Sequence, residues 1–300
     1  MEEVIKLDSI DRYNKLYGVE TLHPLVTVID ASEIKQDLPS HTLLNYGLYA
    51  LYLKETKCGD LRYGKQLYDY QEGTVTSFAP GQVVEIRKTE GITPQWLGLV
   101  FHPDLIRGTS LGQEIKQYSF FSYASNEALH LSEDEKDIYR DCLEKIKMEL
   151  THPVDKHSKR LIARNIELLL DYCMRFYERQ FTTRSKVNKD ILTKFENLLD
   201  AYFQSDKPQT EGLPTVKYFA DHVNLSSNYF GDLVKKETGR TAQEYIQKKL
   251  IAIAKEEILG SGKSVSEIAY GLGFQYPQHF TRIFKKSVGQ TPSEYREVQI

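Results

Sequence analysis

The residues best equipped for chemistry in this 300-residue sequence are cations set at a fixed interval. Lys235-Lys236 is followed by Gly239, Thr241, Glu244 and Tyr245, and the series returns as Lys285-Lys286, Gly289, Thr291, Glu294 and Tyr295, every position displaced by 50. Hydrogen-bonding side chains precede each lysine pair: Ser227, Asn228 and Asp232 the first, Gln275, Gln278, Thr281 and Arg282 the second. Paired lysines suit a row of phosphates, whose released counterions supply affinity. Asn and Gln carry a donor and an acceptor together, Asp accepts, and Arg presents a planar donor fork, the complements of base edges in a major groove. Such chemistry needs a rigid element that holds both groups on one side.

The sequence supplies that element twice. Upstream the offset becomes 49, matching Val216, Ala220, Val223 and Leu225 with Val265, Ala269, Leu272 and Phe274; it returns to 50 at Phe230/Phe280 and Val234/Phe284. Each copy reads helix, short turn, helix. In the first, a helix over 216–223 leads to a turn at 224–226, with Ser226 or Ser227 capping a helix to Glu237. In the second, 264–271 is followed by a turn at 272–276 and Pro277 suits the first helical position. A small Ala at the crossing, an apolar turn residue and an apolar stripe on the second helix are the packing needs of a helix-turn-helix. Between the copies, 241–259 forms one continuous helical pattern through Ile246, Leu250, Ile253, Ala254 and Ile258, ended by Gly260-Ser261-Gly262. Nineteen residues at about 1.5 Å each span roughly 28 Å, near the roughly 34 Å turn of B-DNA.

On this reading Ser227, Asn228, Asp232, Gln275, Gln278, Thr281 and Arg282 reach base edges, Arg282 foremost, while Lys235, Lys236, Arg240, Lys285 and Lys286 take phosphates. Gly231 offers nothing and Asp232 is repelled by phosphate, so the first copy reads fewer bases. The charge support is local, since residues 190–300 carry 14 Lys and Arg against 14 Asp and Glu, and the whole chain is at −3. The bland alternatives are lysines at solvated helix ends and Arg282 in an ion pair within the domain.

The stretch from 272 onward, Leu272-Gly273-Phe274, Phe280, Phe284-Lys285-Lys286, Gly289, Thr291-Pro292 and Tyr295-Arg296, resembles the signature of the AraC/XylS family of bacterial transcription regulators. The resemblance covers about 190–300 and implies a seven-helix DNA-binding domain with two helix-turn-helix units joined by a long helix. It also implies double-stranded DNA as partner, a homodimer formed through the N-terminal part, a small-molecule effector, contact with RNA polymerase, and no cofactor.

Residues 20–131 carry short apolar runs, at 25–29, 46–53, 74–78, 83–86, 96–101 and 128–131, separated by turn signals such as Ala79-Pro80-Gly81. The pattern predicts a small β-barrel or sandwich, and with Phe78-Ala79-Pro80-Gly81 it is similar to the cupin-like sensing domain, a small β-barrel, that precedes the DNA-binding part in the family. The 46–53 run, apolar on both alternating sets, reads as one strand covered on both faces. Ser132 and Glu135 form a capping box opening one helix to about 151, and a second runs over about 156–181, giving a hairpin that packs on the barrel or pairs in part with another subunit. Residues 182–189 are polar and read as a linker. The fold class is therefore α+β in two domains, 1–181 for sensing and dimerisation and 190–300 for DNA binding. Tyr46, Tyr49, Tyr52, Arg62 and Tyr63, with Lys65, Tyr68 and Tyr70 nearby, are the candidate effector pocket; packing of the tyrosines as core is the competing reading.

Other functions find little support. His23, His41, His102 and His130 are scattered with no His-x-His pair, so no metal is expected. No nucleophile elbow, P-loop or dinucleotide fingerprint is present, and Cys58 beside Gly59 is weak evidence of a nucleophile, so an enzyme is not expected. Cys142 and Cys173 read as reduced, buried thiols. An acidic start and no run of about 20 apolar residues point to the cytoplasm rather than a membrane. The competing function is a cupin-type sensory or enzymatic protein whose tandem helical domain binds a protein partner.

Overall fold

Where the hydrophobic period changes from two to about 3.6, one kind of architecture gives way to another. The computed structural model describes residues 4–36, 38–39, 41–55, 61–63, 66–67, 73–86, 95–124 and 127–298, the side chains of 61–63, 66–67, 185–186 and 298 excepted. The chain divides into two compact units, Met1–Thr183 and Arg184–Ile300. The first is mixed α and β and the second is helical. No helix among the described residues is long and apolar enough to cross a membrane.

The first unit contains β1 (Val4–Leu7), β2 (Val26–Asp30), β3 (Thr42–Tyr46), β4 (Tyr49–Lys54), β5 (Leu61–Tyr63), β6 (Gln66–Leu67), β7 (Thr74–Phe78), β8 (Val83–Ile86), β9 (Trp96–Phe101) and β10 (Leu129–His130). They form two five-stranded sheets, ordered β1-β3-β8-β5-β6 and β10-β7-β4-β9-β2. Leu44, Tyr46 and Val84 from one and Ala50, Tyr52, Phe78, Trp96 and Val100 from the other share a core. Among the described residues the two sheets face each other without being hydrogen-bonded into a ring, so of the barrel and sandwich expected there they show two facing sheets and no closed barrel. At one edge the Gln180 side chain accepts from His130 N (2.8 Å) and donates to Ala128 O (3.1 Å), satisfying backbone groups of β10 that face no further strand.

The single strand expected over 46–53 is also corrected. It is split at Gly47-Leu48, which carries the chain from one sheet to the other. Gly47 N donates to Leu7 O at 2.8 Å, and a Cβ there would stand 3.0 Å from that oxygen. Residues 79–82 turn as expected, with Gly81 at φ +94° and Gln82 N donating to Ala79 O.

Helices of this unit are α1 (Ile10–Tyr17), α2 (Pro103–Ile106), α3 (Ser110–Glu114), α4 (Glu133–Thr151) and α5 (Ser158–Thr183). The Ser132/Glu135 capping box opens α4, and Cys142 and Cys173 are free and buried. The polar stretch 182–189 is helical except at Arg184, with the Thr182 and Thr183 hydroxyls donating to Glu178 O and Gln180 O rather than drawing the backbone out of the helix. The stretch read as a linker therefore lies in the end of α5 and the start of α6 rather than in a loop.

The second unit is α6 (Ser185–Gln204), α7 (Lys207–Glu211), α8 (Val216–His222), α9 (Ser227–Thr238), α10 (Ala242–Gly260), α11 (Val265–Gly271), α12 (Pro277–Val288) and α13 (Pro292–Val298). Among the described residues these are the seven helices the resemblance implies plus the five-residue α7. α10 is unbroken over nineteen residues and serves two cores. Its first half gives Ala242 and Ile246 to a cluster with Phe195, Phe219, Ala220 and Phe230; its second half gives Leu250, Ile251, Ala254 and Ile258 to one with Ile268, Ala269, Phe280 and Phe284.

Candidate nucleic-acid interface

The sequence repeat is a backbone repeat. In the first pair, α8 and α9, Leu225 N donates to Ala220 O at 3.0 Å; in the second, α11 and α12, Phe274 N donates to Ala269 O at 3.0 Å. Asn224 (φ +58°) and Gly273 (φ +94°) occupy the same left-handed turn position. Gly239 and Gly289 end α9 and α12 in the left-handed region, each donating its N–H 2.8 Å to the carbonyl of Lys235 or Lys285. Ala220 and Ala269 are fully buried at the crossings, where a larger side chain would force the helices apart.

Burying Phe230, Leu233 and Val234 beneath α9, and Phe280 and Phe284 beneath α12, turns the opposite faces outward. On α9, Asn228 is exposed and Ser227 and Asp232 are half-buried; Ser226, not Ser227, is the cap, accepting from Tyr229 N at 3.2 Å. Lys235 and Lys236 in its last turn, and Arg240 just beyond it, are exposed. Around α12, Gln275, Gln278 and Arg282 are exposed, as are Lys285 and Lys286. Arg282 makes no ion pair among the described residues; its guanidinium lies 3.5 Å from His279 Nε2. Thr281 is half-buried and its hydroxyl donates to Pro277 O at 3.1 Å, which occupies the proton a base would otherwise receive.

The electrostatics of the two faces differ. Residues 268–293 contain Arg282, Lys285 and Lys286 and no carboxylate, whereas α9 offsets Lys235 and Lys236 with Asp232 and Glu237. Sequence spacing passed over two exposed groups at the start of α12: Tyr276, 63% exposed, and His279. The signal that could have found them is their place on the same face as Gln275 and Arg282.

Of the effector candidates, Tyr46 and Tyr52 meet and Tyr49 stands apart from them. Tyr46 and Tyr52 are buried, their hydroxyls 3.1 Å apart, and Tyr13 of α1 fills the space between the sheets with its hydroxyl 2.9 Å from Tyr52. Burial pushes the Tyr46 phenol up to about 12 and those of Tyr13 and Tyr52 upward as well, so all three stay neutral. Tyr49 faces the other side of its sheet, stacked on Phe101 at 5.1 Å, because neighbouring strand parity separates it from Tyr52. The side chains of Arg62 and Tyr63, and residues 58, 65, 68 and 70, lie outside the described residues.

A family model described as a helix-turn-helix domain matches residues 219–297, from α8 into α13. The transposon Tn10 TetD protein of Escherichia coli is 33% identical over 144 residues, 48% of this chain and 91% of that protein. The uncharacterized HTH-type transcriptional regulator YijO of Escherichia coli (strain K12) is 24% identical over 225 residues, 75% of this chain and 76% of YijO. Other curated relatives are matched over less than half of their own length. Among solved structures, the C-terminal domain of the two-component response regulator yesN from Fusobacterium nucleatum subsp. nucleatum ATCC 25586 covers 36% of this chain and 98% of that one, at 26% identity and a TM-score of 0.32. With the helix-turn-helix match lying on the duplicated helices and TetD covered almost end to end, the chain belongs to the AraC/XylS family of DNA-binding transcription regulators.

Proposed function

We propose that the second unit reads two successive major-groove segments of one duplex face, α9 entering one and α12 the next. The observation that carries this is the unbroken α10 with one copy of the helix pair packed on each half. A helix of nineteen residues is about 28 Å long, and two recognition helices fixed to its halves suit sites about one turn apart. Arg282, Gln275 and Gln278 read bases, with Asn228 and Ser227 contributing less, and Lys235, Lys236, Arg240, Lys285 and Lys286 hold phosphates. A random-sequence duplex library, selected on the full-length protein across a salt series, tests this. Two conserved segments spaced by about 10 base pairs and a steep loss of affinity with salt are expected. Absent or salt-independent binding would favour a protein-binding helical domain instead.

The first unit is the part that senses and dimerises in this proposal. Leu161 and Leu168 stay exposed on α5, which supports a partner-facing stripe on the helical hairpin. A small-molecule effector acting there would shift the balance between two packings of the unit, and RNA polymerase is the partner through which a bound regulator acts. Operator affinity that stays constant across a metabolite panel would remove the effector from the proposal.

A further inference from the structure

The imidazoles of this chain mostly serve the fold. His23 Nδ1 accepts from Leu25 N, His102 Nδ1 accepts from Asp104 N, His41 Nδ1 pairs with Glu85, and His152 and His222 bond to the carbonyls of Met148 and Tyr218 four residues earlier. His279 is different. It is exposed, no carboxylate lies between residues 268 and 293, and its hydrogen-bonding neighbour is the Arg282 guanidinium, 3.5 Å from Nε2. The Tyr276 ring stands edge-on to it, centroids 6.5 Å apart at 73°, which restricts where the imidazole can swing.

Resting on the reading of α12 as a recognition helix, we infer that His279 is a further base-reading residue of that helix, one that recognises a purine edge at the pair next to the one read by Arg282. Three helical residues rise about 4.5 Å, close to the roughly 3.4 Å between base pairs, so the two side chains fall on neighbouring pairs rather than on the same one. With Nε2 accepting from the guanidinium, the imidazole proton sits on Nδ1 and is the donor that remains. The acceptor that a purine presents in the major groove is N7, joined by O6 in guanine. The place that residue type and spacing gave to Thr281 is thereby vacated, since that hydroxyl is bonded to Pro277 O.

The test is selection from a random duplex library with full-length wild-type protein, followed by affinity measurements on the selected sequence and on its single-pair variants. His279→Ala is expected to lose roughly five- to tenfold on the selected sequence and to become indifferent at one pair adjacent to the pair relaxed by Arg282→Ala. His279→Gln keeps a donor, adds an acceptor and should move the preference at that pair toward adenine instead of erasing it. The 3.5 Å contact also makes the two alanine effects non-additive in a double-mutant cycle. A uniform loss on every sequence would assign His279 to phosphate and overturn the inference while leaving the regulator reading intact, and an unchanged base preference would overturn it equally. Wild-type protein that selects no sequence overturns both.

Discussion

The two helix pairs, α8–α9 and α11–α12, share a backbone pattern and a support in α10 and differ in most of what else packs against them. Their turn hydrogen bonds, left-handed turn residues and glycine ends superimpose in sequence at offsets of 49 and 50. Yet the first pair draws on α6, where Phe195 meets Phe219, Phe230 and Tyr245 with ring centroids 5.1 to 5.5 Å apart. The second closes on α10 with Tyr295 of α13 against Phe284. The first turn uses Asn224; the second uses Gly273, because a Cβ there would fall 2.7 Å from Gly212 C and Pro208 O. Buried positions are held by packing, which tolerates few shapes, while outward positions are free to become a cationic face in one copy and a near-neutral face in the other.

Breaking one core should therefore spare the other. Phe195→Ala removes a fully buried ring and is expected to cost about 3 to 5 kcal/mol. Hydrogen exchange should report the loss in α6, α8 and α9, with protection kept in α11 and α12. Uniform loss would show that the halves of α10 do not separate the cores. The next largest effect is expected at the turns: Gly273→Ala meets backbone atoms as well as a positive φ and should cost about 3 kcal/mol, whereas Asn224→Ala, at a left-handed position that already holds a Cβ, adds no such clash and should cost less. Equal midpoint shifts in denaturant would remove the close approach of α7 as the reason for glycine.

Most of the second unit was legible before any coordinates, because its repeat is written in residues that local physics ties to one conformation: Gly239 and Gly289, Pro277, Thr241 with Glu244. The first unit was legible strand by strand but not in its assembly. Nothing in the apolar run at 46–53 marks Gly47 as the crossing between sheets; its cause is the approach of Leu7, forty residues earlier in the chain. The α1 signals, Ser9 as cap and Gly18 at the end, were readable, but that Tyr13 fills the core beside Tyr52 is a tertiary fact, and it converts tyrosines that looked like a ligand wall into packing. Around α12 the exposed candidates follow from spacing, whereas the withdrawal of Thr281 depends on a bond to Pro277 O that helix periodicity does not contain.

The charge contrast between the units predicts a smaller effect, on binding. Arg282→Ala should weaken the selected duplex by about 1 to 3 kcal/mol and relax preference at one pair. Lys285→Ala, on the same helix, should weaken all duplexes alike and reduce the slope of log affinity against log salt by about one. If Arg282→Ala changes every sequence equally, the second unit is no more a reader than the first, and the contrast in their faces is one of phosphate binding alone.

The smallest effect separates the units by their first helices. α11 opens with a capping box: Glu267 accepts from Ser264 N (2.7 Å) and from the Ser264 hydroxyl (2.8 Å), and these bonds, the backbone one foremost, hold its carboxyl below the usual glutamate value. α8 opens on Thr215, which accepts from Tyr218 N but has no acid at the third position to answer it. A carboxyl that is more acidic in the folded chain stabilises it fully above its unfolded value, about pH 4.3, and that contribution is lost as pH falls through the lowered folded value. The stability gap between wild type and Glu267→Gln, read from denaturant midpoints, should therefore be open at pH 7 and narrow on acidification below about pH 4. Glu244 and Glu294, capping equivalent helices in the two copies, titrate the same way in both proteins and cancel from the difference. A gap that stays constant with pH would mean that the box acts through an uncharged hydrogen bond, and the second unit would then owe its extra cap nothing that acid can remove.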